Sequence, residues 1–179
     1  MLLALLLLAA PASSPGIAPL TPAFDALAKG TMGFQFGFPL GGSTITGGGS
    51  TVGVTYLLND NMAARMDFGL DAVLSNGGGP ASFAIGLELR LYQFRRGPVA
   101  VFLWPALIFG RHAPVPGTGV EYITLAGGAG AEYFFADHFS VGGKLGLGLN
   151  FDGLGGPAGS SVVTSITTAT SGLFASVYF

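Results

Sequence analysis

From Gly30 onward, large apolar side chains recur at every second position, the spacing that gathers them on one face of an extended strand. Met32, Phe34, Phe36 and Phe38 alternate with Gly33, Gln35 and Gly37, and Val52, Val54, Tyr56 and Leu58 oppose Gly53 and Thr55. A third run sets Ala64, Met66, Phe68, Leu70 and Ala72 against Arg65, Asp67, Gly69 and Asp71. A fourth sets Phe83, Ile85, Leu87, Leu89 and Leu91 against Gly86, Glu88, Arg90 and Tyr92. The fifth, Val99 to Phe109, is apolar on both faces and contains Pro105. Proline has no N–H for a ladder bond, so a bulge or a change of register is expected there. In the sixth, Tyr122 to Phe135, Leu125, Ala129, Ala131 and Tyr133 oppose Gly128, Gly130 and Glu132. The seventh places Phe139, Val141, Leu145, Leu147, Leu149 and Phe151 opposite Ser140, Gly142, Lys144, Gly146 and Gly148. The last carries Leu173, Ala175, Val177 and Phe179 on one face.

The connections alternate in length. Asn59-Asp60-Asn61, Arg95-Arg96-Gly97 and Ala136-Asp137-His138 are tight turns. The other joins are rich in Gly, Ser and Pro, as in Gly41 to Ser50 and Asp152 to Val163. An even strand number with short turns at one end and long loops at the other predicts an all-β chain, an eight-stranded antiparallel transmembrane up-and-down β-barrel.

Charge placement supports that solvent assignment. Seven of the charged residues lie within strands, namely Arg65, Asp67, Asp71, Glu88, Arg90, Glu132 and Lys144, and each falls on the face opposite the large apolar side chains. A membrane barrel keeps charge off its lipid face, so these residues are expected to line the interior as a mutually neutralising network. The inward glycines leave room for them; they could also leave water-sized gaps beside the sixth and seventh strands, but the charged layer is expected to close the lumen. Tyr56, Tyr92, Phe94, Tyr122, Tyr133, Phe134 and Phe135, near strand ends, are expected in interfacial aromatic girdles. Trp104 is compatible with either face.

Composition narrows the picture further. Only 9% of residues are charged while 50% are hydrophobic and 31 are Gly, which fits neither a disordered chain nor an ordinary soluble domain. Beyond the first dozen residues no long apolar run is uninterrupted, which argues against membrane helices. The absence of Cys excludes disulfides, thiolate metal sites and thiol nucleophiles, and a net charge of −2 gives no basic footprint for nucleic acid. Met1 to Ala10 is a Leu/Ala run followed by the small-x-small sequence Ala10-Pro11-Ala12. Residues 1–12 therefore read as a signal peptide, although no Lys or Arg precedes the run, and a buried helix is the alternative. Residues 13–29, with Pro15, Pro19 and Pro22, read as a periplasmic lead-in, with one helical turn over Phe24 to Ala28, and residues 30–179 as the barrel.

These features resemble the small outer-membrane barrels of Gram-negative bacteria, the OmpX-like and OmpA-barrel-like proteins, over about Gly30 to Phe179. The final segment Ser171-Gly172-Leu173-Phe174-Ala175-Ser176-Val177-Tyr178-Phe179 is similar to the terminal insertion signal of that family. The strand-turn-strand around Gly130 to Ser140 is similar to one common in these barrels. The resemblance implies residence in the cell outer membrane, contact with outer-membrane lipid, and recognition of Val177, Tyr178 and Phe179 by the barrel assembly machinery. It does not carry an activity, since family members range from adhesins and anchors to lipid A enzymes. No peptidoglycan-binding domain is expected to follow Phe179.

Candidate chemistry is sparse. His138-Phe139-Ser140 is similar to the His-x-Ser element of outer-membrane lipid A deacylases, but a short periplasmic turn is the wrong side for outer-leaflet chemistry, and the residues after Ser140 depart from that motif. His112 has only Glu121, across its loop, as a partner. Gly47-Gly48-Gly49 and Gly77-Gly78-Gly79 lack the Lys-Ser/Thr pair and following helix of a phosphate loop. No catalytic, metal or cofactor-binding residue is assigned, and no cofactor is expected. The leading expectation is a non-enzymatic, monomeric outer-membrane barrel with a structural or surface-interaction role, its extracellular loops meeting an unidentified ligand. A narrow channel or hydrophobic-ligand transporter is the alternative, and a soluble lipocalin-like carrier a distant one.

Overall fold

The computed structural model describes residues 27–39, 50–72, 81–113, 119–154, 163–168 and 172–179. The proposed signal peptide, the lead-in up to residue 26 and the Gly47–Gly49 and Gly77–Gly79 segments lie outside the described residues. The strands are β1 (Met32–Pro39), β2 (Thr51–Asn59), β3 (Met62–Ala72), β4 (Ala81–Arg96), β5 (Val99–Leu103), β6 (Ala106–Ala113), β7 (Val120–Ala136), β8 (Phe139–Asp152), β9 (Val163–Thr168) and β10 (Gly172–Tyr178).

These strands build eight staves. β5 and β6 both pair with β4 on one side and β7 on the other, so together they form the fifth stave. β9 and β10 both pair with β8 and form the eighth. β10 pairs with β1, and every pairing is antiparallel, so the sheet closes into an eight-stranded barrel. The rows of paired residues do not close on themselves. From Phe36 the pairing runs through Val52, Phe68, Ile85, Phe109, Ile123 and Phe151 to Thr164 on β9, whereas in the other direction Phe36 meets Ala175 on β10. This stagger is the strand tilt that barrel closure requires.

Pro105 interrupts the fifth stave without shifting it, contrary to the expectation of a bulge or register change. Leu91 faces Leu103 before the break and Glu88 faces Ala106 after it, which is one continuous register. Leu89 still donates to the Pro105 carbonyl at 3.0 Å, and Trp104 N–H donates to Gly128 O at 3.1 Å. The bond lost is the reciprocal one that Pro105 has no N–H to give. The bulge in this region lies instead on β4, between Tyr92 and Phe94.

The outer surface is apolar. In the row Phe36, Val52, Phe68, Ile85 and Phe109 every side chain is exposed, as are Leu70, Leu87, Leu89, Leu145, Leu147, Leu173 and Val177. The inner face carries Gln35, Thr55, Arg65, Glu88, Arg90, Thr124, Glu132, Ser140 and Ser176, all buried. A water-soluble barrel has the opposite distribution. No helix among the described residues is long and apolar enough to cross a membrane, so a bilayer would be crossed by the strands.

Three of the expected girdle aromatics turn inward. Tyr92 and Phe134 are buried in the interior, and the ring of Tyr122 lies over Gly110 on the inner face. Tyr92 precedes the bulge and keeps the inward parity of Glu88 and Arg90, while Phe94, after it, is exposed. Tyr56, Tyr133 and Phe135 are exposed on the outer face. Trp104 faces inward and is 1% exposed.

Candidate functional site

The polar interior brings together six of the seven expected charges. Arg90, fully enclosed at 0% exposure, is its hub. Its Nε donates to Glu88 Oε1 at 2.9 Å, Nη2 to Gln35 Oε1 at 2.6 Å and Nη1 to Glu132 Oε2 at 3.3 Å. The guanidinium also lies against two rings, with Cζ 4.5 Å from the centroid of Phe102 and 4.6 Å from that of Phe174. Hydrogen bonding to two carboxylates compensates the charge, and the stacked rings exclude water from it.

Glu132 is held from several sides, as a buried carboxylate must be. Besides Arg90, it accepts from Tyr178 Oη at 2.6 Å, from Tyr92 Oη at 3.3 Å and from Ser140 Oγ. Glu88 is shared between Arg90 and Lys144, and Arg65 Nη1 stands 4.0 Å from it. Arg65 pairs with Asp67 through Nε at 2.8 Å. Lys144 Nζ lies 4.6 Å from the centroid of the Trp104 ring. Among the described residues three cations, Arg65, Arg90 and Lys144, thus face three carboxylates, Asp67, Glu88 and Glu132. Asp71 lies four residues beyond Asp67 on β3, paired with Ser82, and its side chain is outside the described ones.

Beside three of the inward glycines of β7 and β8 the space is taken by aromatic rings. A Cβ on Gly130 would overlap the Phe102 ring, one on Gly142 the Phe174 ring, and one on Gly146 would stand 2.5 Å from the Trp104 indole. Trp104 Nε1 is positioned to donate to the carbonyls of Ala129 and Leu145, each at 3.3 Å. Aromatic rings from neighbouring staves therefore occupy the space that Gly130, Gly142 and Gly146 leave. Gly53 serves the charged cluster in the same way, since a Cβ there would collide with the Arg65–Asp67 pair.

Counting charges alone misses the uncharged members of this network. Gln35, Ser140 and Ser176 join it, with Ser176 Oγ donating to Gln35 Oε1 at 3.3 Å. Their signal is positional, since each occupies the polar face of its strand.

The other candidates do not converge. Ser140 is buried and donates to Glu132, whereas His138 lies in the exposed turn, so the two do not form a nucleophile-base pair. The register pairs Glu121 with Arg111 and His112 with Val120, so His112 and Glu121 are not cross-strand partners, and the side chain of His112 is outside the described ones. At the chain end, Val177 and Phe179 are exposed while Tyr178 is buried. Phe179 and Met32 exchange backbone hydrogen bonds of 2.9 and 3.1 Å, and the Phe179 and Phe34 rings lie 5.6 Å apart.

No protein-family model matches the chain, and no curated protein matches it. Solved structures do. The N-terminal β-barrel domain of Pseudomonas aeruginosa OprF matches with a TM-score of 0.54 and 14% identity, over 84% of this chain and 98% of that one. Ail, the attachment invasion locus protein of Yersinia pestis, gives 0.43 and 11% over 84% and 99%. AlkL, an outer-membrane protein solved by solid-state NMR in DMPC bilayers, gives 0.47 and 12% over 93% and 96%. The OprF likeness agrees with the closed eight-stave topology, and the fold of this chain is that of the small outer-membrane β-barrels.

Proposed function

We propose that the chain is a resident of the outer membrane that catalyses no reaction and serves a structural or surface-contact role through the connections opposite its short turns. The observation that carries this reading is the inverted polarity, with exposed Phe, Leu and Val rows outside and an ion-paired interior inside. Outer-membrane lipid surrounds the apolar belt, and Val177, Tyr178 and Phe179 serve as the signal read by the barrel assembly machinery. The protein acts as a monomer, does not bind nucleic acid, and presents its long connections to an extracellular ligand.

The filled interior favours this role over a narrow conduit. Arg90, Glu88, Glu132, Phe102, Phe174 and Trp104 occupy the cross-section, as the width of an eight-stranded barrel allows. Purified protein in planar bilayers should show no steady unitary conductance. A stable conductance altered by Glu88→Gln or Lys144→Gln would replace this reading with the channel. The surface role is tested on intact cells by replacing residues 40–49, 73–80, 114–118 or 155–162 with short linkers. Binding to cells or matrix should fall for at least one replacement while the barrel still assembles, and unchanged binding for all four would remove the loop role.

A further inference from the structure

We infer that the barrel end carrying the short turns is stoppered by the chain's own lead-in, with Leu27 as the stopper. The lowest interior layer at that end is Leu57, Ala63, Tyr92, Ala100, Phe134 and Tyr178, all buried. An apolar layer at a barrel mouth would face water unless something covered it. Leu27 belongs to that same cluster and is only 5% exposed, although it precedes the first strand and its sequence context reads as a lead-in outside the barrel. A short turn holds it there. Thr31 N–H donates to Ala28 O at 3.2 Å, Gly30 N–H to Leu57 O at 2.8 Å, and Leu57 N–H to Thr31 O at 2.9 Å. Gly30, at φ +89°, makes the reversal that carries the chain from this turn into β1.

The stopper lies directly below the polar layer. Tyr92 and Tyr178 belong to the apolar cluster that includes Leu27, and their hydroxyls donate to Glu132. Leu27 is also separate from the barrel ladder, because it belongs to no strand. Its removal should open the mouth without unpairing a stave. This closure does not depend on what the long connections bind.

The natural absence of Cys makes the test direct. Ala63→Cys and Ala100→Cys place single thiols in the covered layer of the refolded barrel, and a charged, membrane-impermeant methanethiosulfonate reports access to them. Both thiols should react slowly in the otherwise native chain, and Leu27→Ser should raise both rates about tenfold or more while the folded band on unheated gels is kept. Equal rates with and without Leu27→Ser would overturn the inference. If Leu27→Ser does not refold, Leu27→Cys in the native background decides, since a protected thiol supports the stopper and a rapidly labelled one refutes it.

Discussion

Phe102 on β5 and Gly130 on β7 are directly opposed in the barrel wall, and the ring of the first fills the volume that the second leaves empty. The ring cannot readily move aside, because Arg90 and Phe174 pack against it. Gly130→Ala should therefore destabilise the barrel by about 1–3 kcal/mol, the usual cost of overpacking. Urea unfolding in lipid vesicles measures this. Phe102→Leu in the same chain should recover part of the loss, and a Gly130→Ala barrel as stable as the parent would contradict the packing described.

Adjacent positions on β4 should respond to opposite changes for different reasons. Leu89 is exposed on the outer face and Arg90 is enclosed. Leu89→Arg places a charge against lipid, at a cost of about 2–4 kcal/mol near the midplane. Arg90→Leu leaves Glu132 and Glu88 short of a partner, at about 3–5 kcal/mol, the range for breaking a buried pair. Adding Glu132→Gln should restore part of the stability lost in Arg90→Leu and none of that lost in Leu89→Arg, as read by the same unfolding curves. Additive losses for Arg90→Leu and Glu132→Gln would deny the coupling.

Much of this architecture is legible in the order of the residues, because an apolar exterior and an ion-paired interior impose a period of two along most strands. Leu89 and Arg90 declare their faces by parity alone. The misassigned aromatics Tyr92, Tyr122 and Phe134 keep the parity of the inward Arg90, Thr124 and Glu132, and only their residue type and place near strand ends point to a girdle; other features escape where parity breaks or carries no information. The β4 bulge separates the inward Tyr92 from the outward Phe94, and no residue type announces it. In β9, Val163 and Ile166 are three positions apart, so the strand has no alternation to read and is found only by its pairing with β8. Leu27 has no strand period, and its burial depends on a barrel mouth assembled from six staves. Interior hydrogen bonding was legible only in part, since Gln35 and Ser140 share the inward parity of many residues that do not join the network.

Phe179 closes the seam between β10 and β1 through its backbone exchange with Met32 and its ring beside Phe34. A packing role alone predicts equal damage wherever the barrel is folded, whereas an assembly signal predicts damage only where machinery reads it. Deleting Phe179 should reduce insertion in cells severalfold more than it reduces refolding into detergent, measured as the fraction of heat-modifiable protein. Equal losses in both settings would assign Phe179 to the seam alone.

The measurement that most directly tests a lipid-facing barrel with a sealed interior is a spin-label scan along β4 in bilayers, with single Cys residues at 83 to 90. The nitroxide at Phe83, Ile85, Leu87 and Leu89 should collide freely with oxygen dissolved in the lipid, while Ala84, Gly86, Glu88 and Arg90 should be shielded from oxygen and from a water-soluble relaxation agent. A period of two with those phases is the predicted result. High access of the water-soluble agent at 86, 88 and 90 in the folded barrel, or oxygen access that peaks at the even positions, would contradict the account.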